Sequence, residues 1–478
     1  MLPRWASIPT RIPRSSMPSG REASVQAVMQ TRSDSIPRAL AVGFGTTTLM
    51  WLCSYAAILQ PGSLAGDLIF LLTLLVLVIG GGVAASLDKG CTGAGRATRR
   101  GIEVGFISAV INLLLVGSLL GSGMATLWCL GLFASSMVLG GLGGRLAWMG
   151  GFGLKTTVDT VNWPGAFTAV CSGLTFLMLV SGGIVTGFEA GLAVPDWPNS
   201  YGHNMLLYPL SEMVENLESG IFYEHAHRLT GMFVGLASMT LCVVLWACDR
   251  RMSVRLGGTL ILLMVIGQGV LGGLRVTGVL TFSDDPDILS PSTALGVVHG
   301  VFGQVVFGGL VYLAAVTSWT WMHGPASKES PGARAGRILA LWLLLLLLMQ
   351  LVIGAVYRHL AMDLAIEGSR TGHILMGHIA LAAIVMLLAI INGIRGMSTP
   401  AGKPILHRIG LALLILVVLQ VLLGIAATII VLGRGPDDPI PAIEVVVTSA
   451  HQANGGLLLA ASVLMVAWQC RLEKSQGD

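Results

Sequence analysis

Leu339-Ala-Leu-Trp-Leu-Leu-Leu-Leu-Leu-Leu-Met-Gln-Leu-Val-Ile-Gly354 carries a single amide, Gln350, and no charge. Between Leu343 and Leu348 no side chain is polar, so lipid contact is the plain reading. Apolar runs of about 20 residues are long enough to span a bilayer as helices. Twelve occur, roughly at 39–60, 65–88, 104–122, 124–149, 164–187, 222–247, 255–276, 292–321, 336–357, 371–394, 406–433 and 444–469. With 54% hydrophobic residues, 11% charged and a mean hydropathy of +0.79, a soluble globular chain is excluded. The fold class is therefore an all-α polytopic membrane protein of about 12 transmembrane helices.

The Gln-x-x-x-Gly of that run recurs. Gln268/Gly272, Gln350/Gly354 and Gln420/Gly424 are each followed by a histidine in the next helix: His299, then His373 or His378, then His451. His227 follows the related stretch Ser181-Gly-Gly-Ile-Val185. An ionisable side chain inside a membrane is costly and marks function by default. Four at repeated places make two pairs, and a pair of neutral imidazoles suits the axial positions of a heme iron. Gly272 to His299 and Gly424 to His451 both span 27 residues. Such a repeat predicts two similar four-helix bundles related by pseudo-symmetry, each with a site between its second and fourth helices. The domains are then a basic tail (1–38), a four-helix module rich in glycine (39–155), a first four-helix half (156–325) and a second (326–478).

Basic residues cluster in every second loop, at Lys89–Arg100, Lys155, Asp249–Arg255, Lys328–Arg337, Arg395–Arg408 and Arg471–Lys474. The alternate loops are acidic or neutral, which places both termini in the cytoplasm and the four histidines near the extracytoplasmic face. The Arg-, Ser- and Pro-rich residues 1–38 read as a cytoplasmic tail, with a mitochondrial-type targeting segment as the alternative. The membrane is accordingly a bacterial cytoplasmic membrane or, failing that, a mitochondrial inner one. The net charge of +4 reflects those loops and implies no nucleic-acid partner. None of the seven cysteines falls in an outer loop, so a structural disulfide there is excluded, as is covalent heme attachment through CxxCH.

Tyr223-Glu-His-Ala-His-Arg228 is the strongest local signal. Glu224 and His227 share a helix face, so a carboxylate beside a heme ligand could move protons or stabilise a cationic intermediate. Arg228 could pair with a heme propionate. The competing reading makes Glu224 and Arg228 an i, i+4 ion pair and leaves His225 facing water. His299, with Gly300 and Gly303, has room beside it for a flat macrocycle. His373 and His378 are about 140° apart around a helix and cannot share a face. His373 is preferred because Gly377 follows it by four residues, as Gly231 follows His227. His203, His323, His359 and His407 sit in loops or at helix ends, where solvent is their expected surrounding. Arg275 and Arg358 are candidate propionate partners or snorkelling boundary residues. The first half has a long outer loop, 188–221, holding Pro195-Asp-Trp-Pro198, which reads as a lid over one site only.

Gly191-Leu-Ala-Val-Pro-Asp-Trp-Pro198 and Phe222-Tyr-Glu-His-Ala-His-Arg-Leu229 resemble the heme A synthase family, as do Leu271-Gly-Gly-Leu-Arg-Val276, Val298-His-Gly300 and Ala450-His-Gln452. The similarity covers about 160–470. It implies an eight-helix membrane enzyme of two halves that oxidises the C8 methyl of heme O to the formyl group of heme A, by successive hydroxylations, for cytochrome oxidase assembly. It further implies that His227 and His299 hold heme O as substrate and that Glu224 is the mechanistic carboxylate. His373 or His378 would ligate a resident heme B together with His451, its iron being the metal. Implied partners are an external electron donor, since no flavin or nicotinamide motif is present, and heme O synthase or oxidase assembly factors. A homo-oligomer is compatible with this reading. Two features depart from the family. Val194 and Ser200 stand where many members carry a cysteine pair, and the first four helices lie outside the common core. The competing functions are a b-type diheme cytochrome passing electrons from quinol, which needs no special carboxylate, and a heme transporter, in which broken helices at mid-membrane are expected.

Overall fold

The computed structural model describes residues 35–58, 66–88, 91–115, 124–151, 161–209, 212, 220–277, 292–324, 327–361, 369–398, 403–435 and 438–474. Most of the basic tail (1–34), Lys89, Lys155 and the acidic stretch Asp284–Asp287 lie outside the described residues. Twelve long helices follow one another: α1 (Ser35–Ile58), α2 (Gly66–Ser86), α3 (Ala94–Leu115), α4 (Ala125–Met149), α5 (Trp163–Gly187), α6 (Ile221–Cys248), α7 (Met252–Val276), α8 (Thr293–Thr317), α10 (Ala333–Ala361), α11 (Ser369–Met397), α12 (Pro404–Gly433) and α13 (Ala442–Leu472), with a short α9 (Trp319–His323) after α8. Ten of them are long and apolar enough to cross a membrane; α1 and α3 are not among the ten, and α3 opens on Arg96, Arg99, Arg100 and Glu103. The chain is an integral membrane protein. Helices are the expected answer to a solvent that offers the backbone no hydrogen bonds.

Helices α5 to α8 pack as a closed ring of neighbours, and so do α10 to α13. The rings meet through α5, α8, α10 and α13. Burial follows from that placement: 61% of the apolar windows of α5 and α13 is buried, against 6% for α12 at the periphery. Each ring has its own apolar core, Phe167, Phe233, Leu241 and Leu310 in one and Leu343, Leu413, Leu458 and Met465 in the other. Lipid tails are as apolar as leucine, so close packing rather than water exclusion must hold helices together. Small residues supply it at the seam, where Gly183 faces Gln452 and Gly187 faces Val445.

The N-terminal module shows the same rule in stronger form. A methyl on Gly81 or Gly101 would lie 2.0 or 1.9 Å from the carbonyl oxygen of Gly140. Backbone there meets backbone. The module docks on the first ring by Phe44, whose ring sits 5.1 Å from Phe167 and 5.9 Å from Phe233. At its basic end the buried Asp88 accepts from Arg38 (3.1 Å), Arg96 (3.2 Å) and Arg100 (2.7 Å). Removing one partner of a buried ion pair typically costs about 3–5 kcal/mol. Asp88→Asn, which strands the cationic cluster, is accordingly expected to lower the denaturation temperature of the detergent-solubilised chain, measured by circular dichroism, whereas Arg99→Gln at an exposed position does not.

Candidate functional site

Each of the four site histidines lies with its ring on a glycine of the preceding helix. A methyl on Gly182 would sit 3.1 Å from Cε1 of His227, and on Gly272 3.2 Å from Cε1 of His299. In the second ring the distances are 2.9 Å from Gly354 to His378 and 3.0 Å from Gly424 to His451. The glycines of the repeat thus exist to seat imidazoles. The glutamine one turn earlier fixes the histidine helix: Gln268 Nε2 donates to the His299 carbonyl and Gln350 Nε2 to the His378 carbonyl, both at 2.9 Å. Gln420 stands 3.3 Å from both ring nitrogens of His451, while its Oε1 accepts from Asn454 at 2.6 Å. In the first position Ser181 takes over, with Oγ 2.8 Å from His227 Nδ1.

The structure brings His227 of α6 and His299 of α8 within electrostatic reach of one another. His378 of α11 and His451 of α13 face each other with ring centroids 6.5 Å apart. His373 is not in this pair. It lies on the exposed side of α11, and the preference for it on the strength of Gly377 is corrected here. What decides is which ring overlies Gly354, a relation between helices that local spacing does not carry. Helix depth was a usable signal: His378 and His451 both stand nine residues beyond the first residue of their helices (378 − 369 and 451 − 442).

Arg228 is not available to a propionate. All five of its N–H donors are committed: Nε and Nη2 to Glu224 Oε1 (3.1 and 2.5 Å), Nη2 to Val194 O (2.7 Å), and Nη1 to Asp196 O (2.7 Å) and Asn199 O (3.0 Å). The other oxygen of Glu224 accepts from Val194 N–H at 2.7 Å. Glu224 and Arg228 are the i, i+4 ion pair of the competing reading, and together they clamp the Pro-Asp-Trp-Pro segment to α6. His225 does not face water. It is 1% exposed, with Nδ1 3.2 Å from Ser200 Oγ and its ring 4.9 Å from that of Tyr208. Val194 and Ser200 are buried, so the segment is fastened by hydrogen bonds where the resemblance leads one to expect thiols. All seven cysteines are free.

The segment turns back through a two-residue ladder, Asn199–Ser200 against His203–Asn204. Asp196 closes it by accepting from Tyr201 and Gly202 N–H, each at 2.8 Å. Burial alone would raise the Asp196 carboxyl, but the two amides outweigh it and hold the group below its ordinary range. A depressed folded-state value adds stability that is present above the unfolded value and lost as pH falls through the folded one. The segment is therefore expected to resist pepsin down through the ordinary aspartate range of about 4 and to be cut only below it. In Asp196→Asn that acid transition disappears. Trp197, the tip, lies flat on Gly273 of α7, where a methyl would meet its indole at 2.3 Å. Adjacent glycines on α7 therefore serve two rings, Gly272 for His299 and Gly273 for Trp197.

Arg275, one turn further along α7, has its Nη2 against Gly191 and a buried Nε that has no partner among the described residues. Arg358 of α10 crosses to the first ring, where Nη2 donates to Thr186 O at 2.9 Å and Gly187 O at 3.4 Å, capping the end of α5. The second ring also has a buried acid that its sequence pattern did not single out. Glu444, 1% exposed, accepts from Arg434 Nε at 2.9 Å and lies two turns before His451 on α13. A carboxylate alone therefore does not distinguish the two rings; the clamped loop does. Two surface hollows, of about 500 Å³ (lined by Thr98, Met137 and Arg145) and about 170 Å³ (lined by Met386 and Leu422), lie away from the histidines.

Residues 165–463 match the family model COX15-CtaA, described as cytochrome oxidase assembly protein. The chain is similar to the heme A synthase of Granulibacter bethesdensis, at 25% identity over 334 residues, 61% of this chain and 83% of that protein. It is also similar to the heme A synthase of Parvibaculum lavamentivorans, at 25% identity over 209 residues, 35% of this chain and 60% of that protein. Helices α1 to α4 lie before the span matched by the family model.

Proposed function

The chain belongs to the COX15-CtaA family of cytochrome oxidase assembly proteins, and from that premise we propose that it is a heme A synthase, a membrane oxidoreductase that converts the C8 methyl of heme O to a formyl group. The single observation that carries the reading is the fourfold glycine–histidine seat, arranged as two pairs in two rings. A heme fits these residues. Each pair offers two imidazoles, and among the described residues the buried Nδ1 atoms of His299 and His378 have no hydrogen-bond partner. The 6.5 Å between the ring centroids of His378 and His451 supports the reading that this pair would hold one heme.

His227 and His299 would hold heme O as substrate, and His378 and His451 a resident heme B. Bound heme supplies oxidation–reduction chemistry, with electrons from a donor outside the chain. The protein's own work is position. Ser181 fixes the ring orientation of His227 through Nδ1, and Gln268 fixes the helix that carries His299. Arg275 offers its unpartnered Nε to a propionate. Glu224 and Arg228 hold the Trp197 segment against the first site and keep water from it. Glu224 thus acts through the loop, since both of its oxygens are occupied by Val194 and Arg228. The histidine end of the bundle is assigned to the extracytoplasmic side and the basic end to the cytoplasm.

A bacterial strain that makes heme O and an aa3-type oxidase but lacks its own heme A synthase provides the test. Expression of this chain is expected to restore the a-type absorbance of the oxidase. Restored heme binding by this chain with no a-type absorbance would instead favour the electron-passing cytochrome.

A further inference from the structure

A fifth histidine repeats the geometry of the four. A methyl on Gly296 would lie 2.8 Å from Cε1, 2.9 Å from Nδ1 and 3.1 Å from Nε2 of His359. This seat is as tight as the others, but its parts come from different rings. Gly296 is on α8, three residues before His299 and so on the same side of that helix. His359 is near the end of α10, in the second ring.

The pseudo-symmetry supplies an internal control. Setting Gly354 against Gly182 puts Gly187 of α5 at the place of His359. Gly187 packs on Val445 of α13, at 2.6 Å from a methyl to Cγ1. At that seam the large side chain is aliphatic and comes from the other helix. The imidazole therefore has no counterpart on the α5–α13 side, where a valine packs on the glycine instead.

The surroundings show what a polar ring does there. Arg275, Arg358 and His299 are the titratable groups within electrostatic reach of His359, and the ring also hydrogen-bonds to the Gly296 backbone. Among the described residues, Arg275 has no partner for its buried Nε, and Glu224, the acid within its reach, is held by Arg228. Arg358 gives an arm to the end of α5 and otherwise faces Glu189 and Glu444. Among the described residues, two guanidiniums and an imidazole beside one end of His299 offer more donors than the acids there take up, and the complement they call for is an anion.

We propose that His359, together with Arg275, binds a carboxylate on the edge of the group held by His227 and His299, so that the first half's site is completed by a residue of the second half. This rests on the heme reading above, a heme carrying two propionates. Hydrogen bonds to charged groups are worth enough that losing one is expected to weaken binding about tenfold or more.

The test titrates the purified full-length chain in detergent with heme B and, separately, with heme B dimethyl ester, whose propionates are blocked. His227→Ala gives the baseline contributed by the second site. His359→Phe, which fills the space over Gly296 without an N–H, is expected to weaken the first site for the free diacid about tenfold and to leave the diester unchanged. His359→Gln, which keeps a donor, recovers most of the loss. Gly296→Ala, which displaces the ring, reproduces His359→Phe. Equal weakening of both hemes, or no weakening of either, overturns the proposal while leaving the heme reading intact. A wild-type chain that takes up neither heme removes both.

Discussion

His378→Ala is expected to cost the chain the heme of its second half, about half of the total bound heme, while His373→Ala leaves the content unchanged. The two residues are five apart on α11 and cannot both face the bundle interior. Only His378 lies over Gly354, has its backbone carbonyl held by Gln350, and faces His451 across 6.5 Å. His373 lies on the exposed side of the same helix. Heme content by the pyridine hemochrome assay, on purified chains of equal protein content, decides between them. The same loss is expected from Gly354→Leu, because a side chain there occupies the space of the ring. Unchanged heme in His378→Ala with loss in His373→Ala would mean that α11 is rotated by more than a third of a turn from the packing described.

Arg228→Ala is expected to be more damaging than Glu224→Gln, although the second removes the charge first suspected of taking part in the reaction. Arg228 makes five hydrogen bonds, three of them to carbonyls of the Val194–Asn199 segment. Its removal leaves Glu224, 3% exposed, without its cation, a change that typically costs about 3–5 kcal/mol. Glu224→Gln keeps an acceptor for Val194 N–H and for one guanidinium arm. If the pair works by holding the segment, heme O conversion falls on the order of 10²-fold in Arg228→Ala, the scale of a misplacement of about 1 Å, and less in Glu224→Gln. Protease cutting between Ala193 and Asn204 should rise in the same order. A Glu224→Gln chain that is fully protected yet inactive would return the carboxylate to the chemistry itself.

Much of this was legible in the chain. Hydropathy placed eleven of the twelve long helices to within a few residues, because a bilayer fixes helix length and leaves the backbone no other partner. The third, expected at 104–122, runs Ala94–Leu115 behind a charged first turn, and it and α1 are not among the ten long and apolar enough to span. The 27-residue recurrence and Gln-x-x-x-Gly located three of the four seats, since a glycine that admits a ring from the next helix must recur with that ring. What stayed hidden depended on rotation and crossing between helices. The choice of His378 over His373 is of this kind, as is the place of His359, which looked like a helix end in solvent and instead lies against α8. His225 and Glu444 were missed for a related reason. Each is polar near an outer helix end, where sequence alone reads exposure, and each is buried, His225 under the Ser200–Tyr208 segment and Glu444 in an ion pair with Arg434. The role of Arg228 was half visible: i, i+4 spacing predicted the ion pair, but the carbonyls that absorb its remaining donors come from some thirty residues upstream.

Extraction of the hemes bears on the central claim most directly. The full-length chain is expressed in a host that makes heme O and no heme A, and the extracted hemes are separated chromatographically. A formyl heme is expected with the wild-type chain, absent with His227→Ala and with His299→Ala. Recovery of bound heme B and unconverted heme O alone, with a competent electron donor present, would contradict the account.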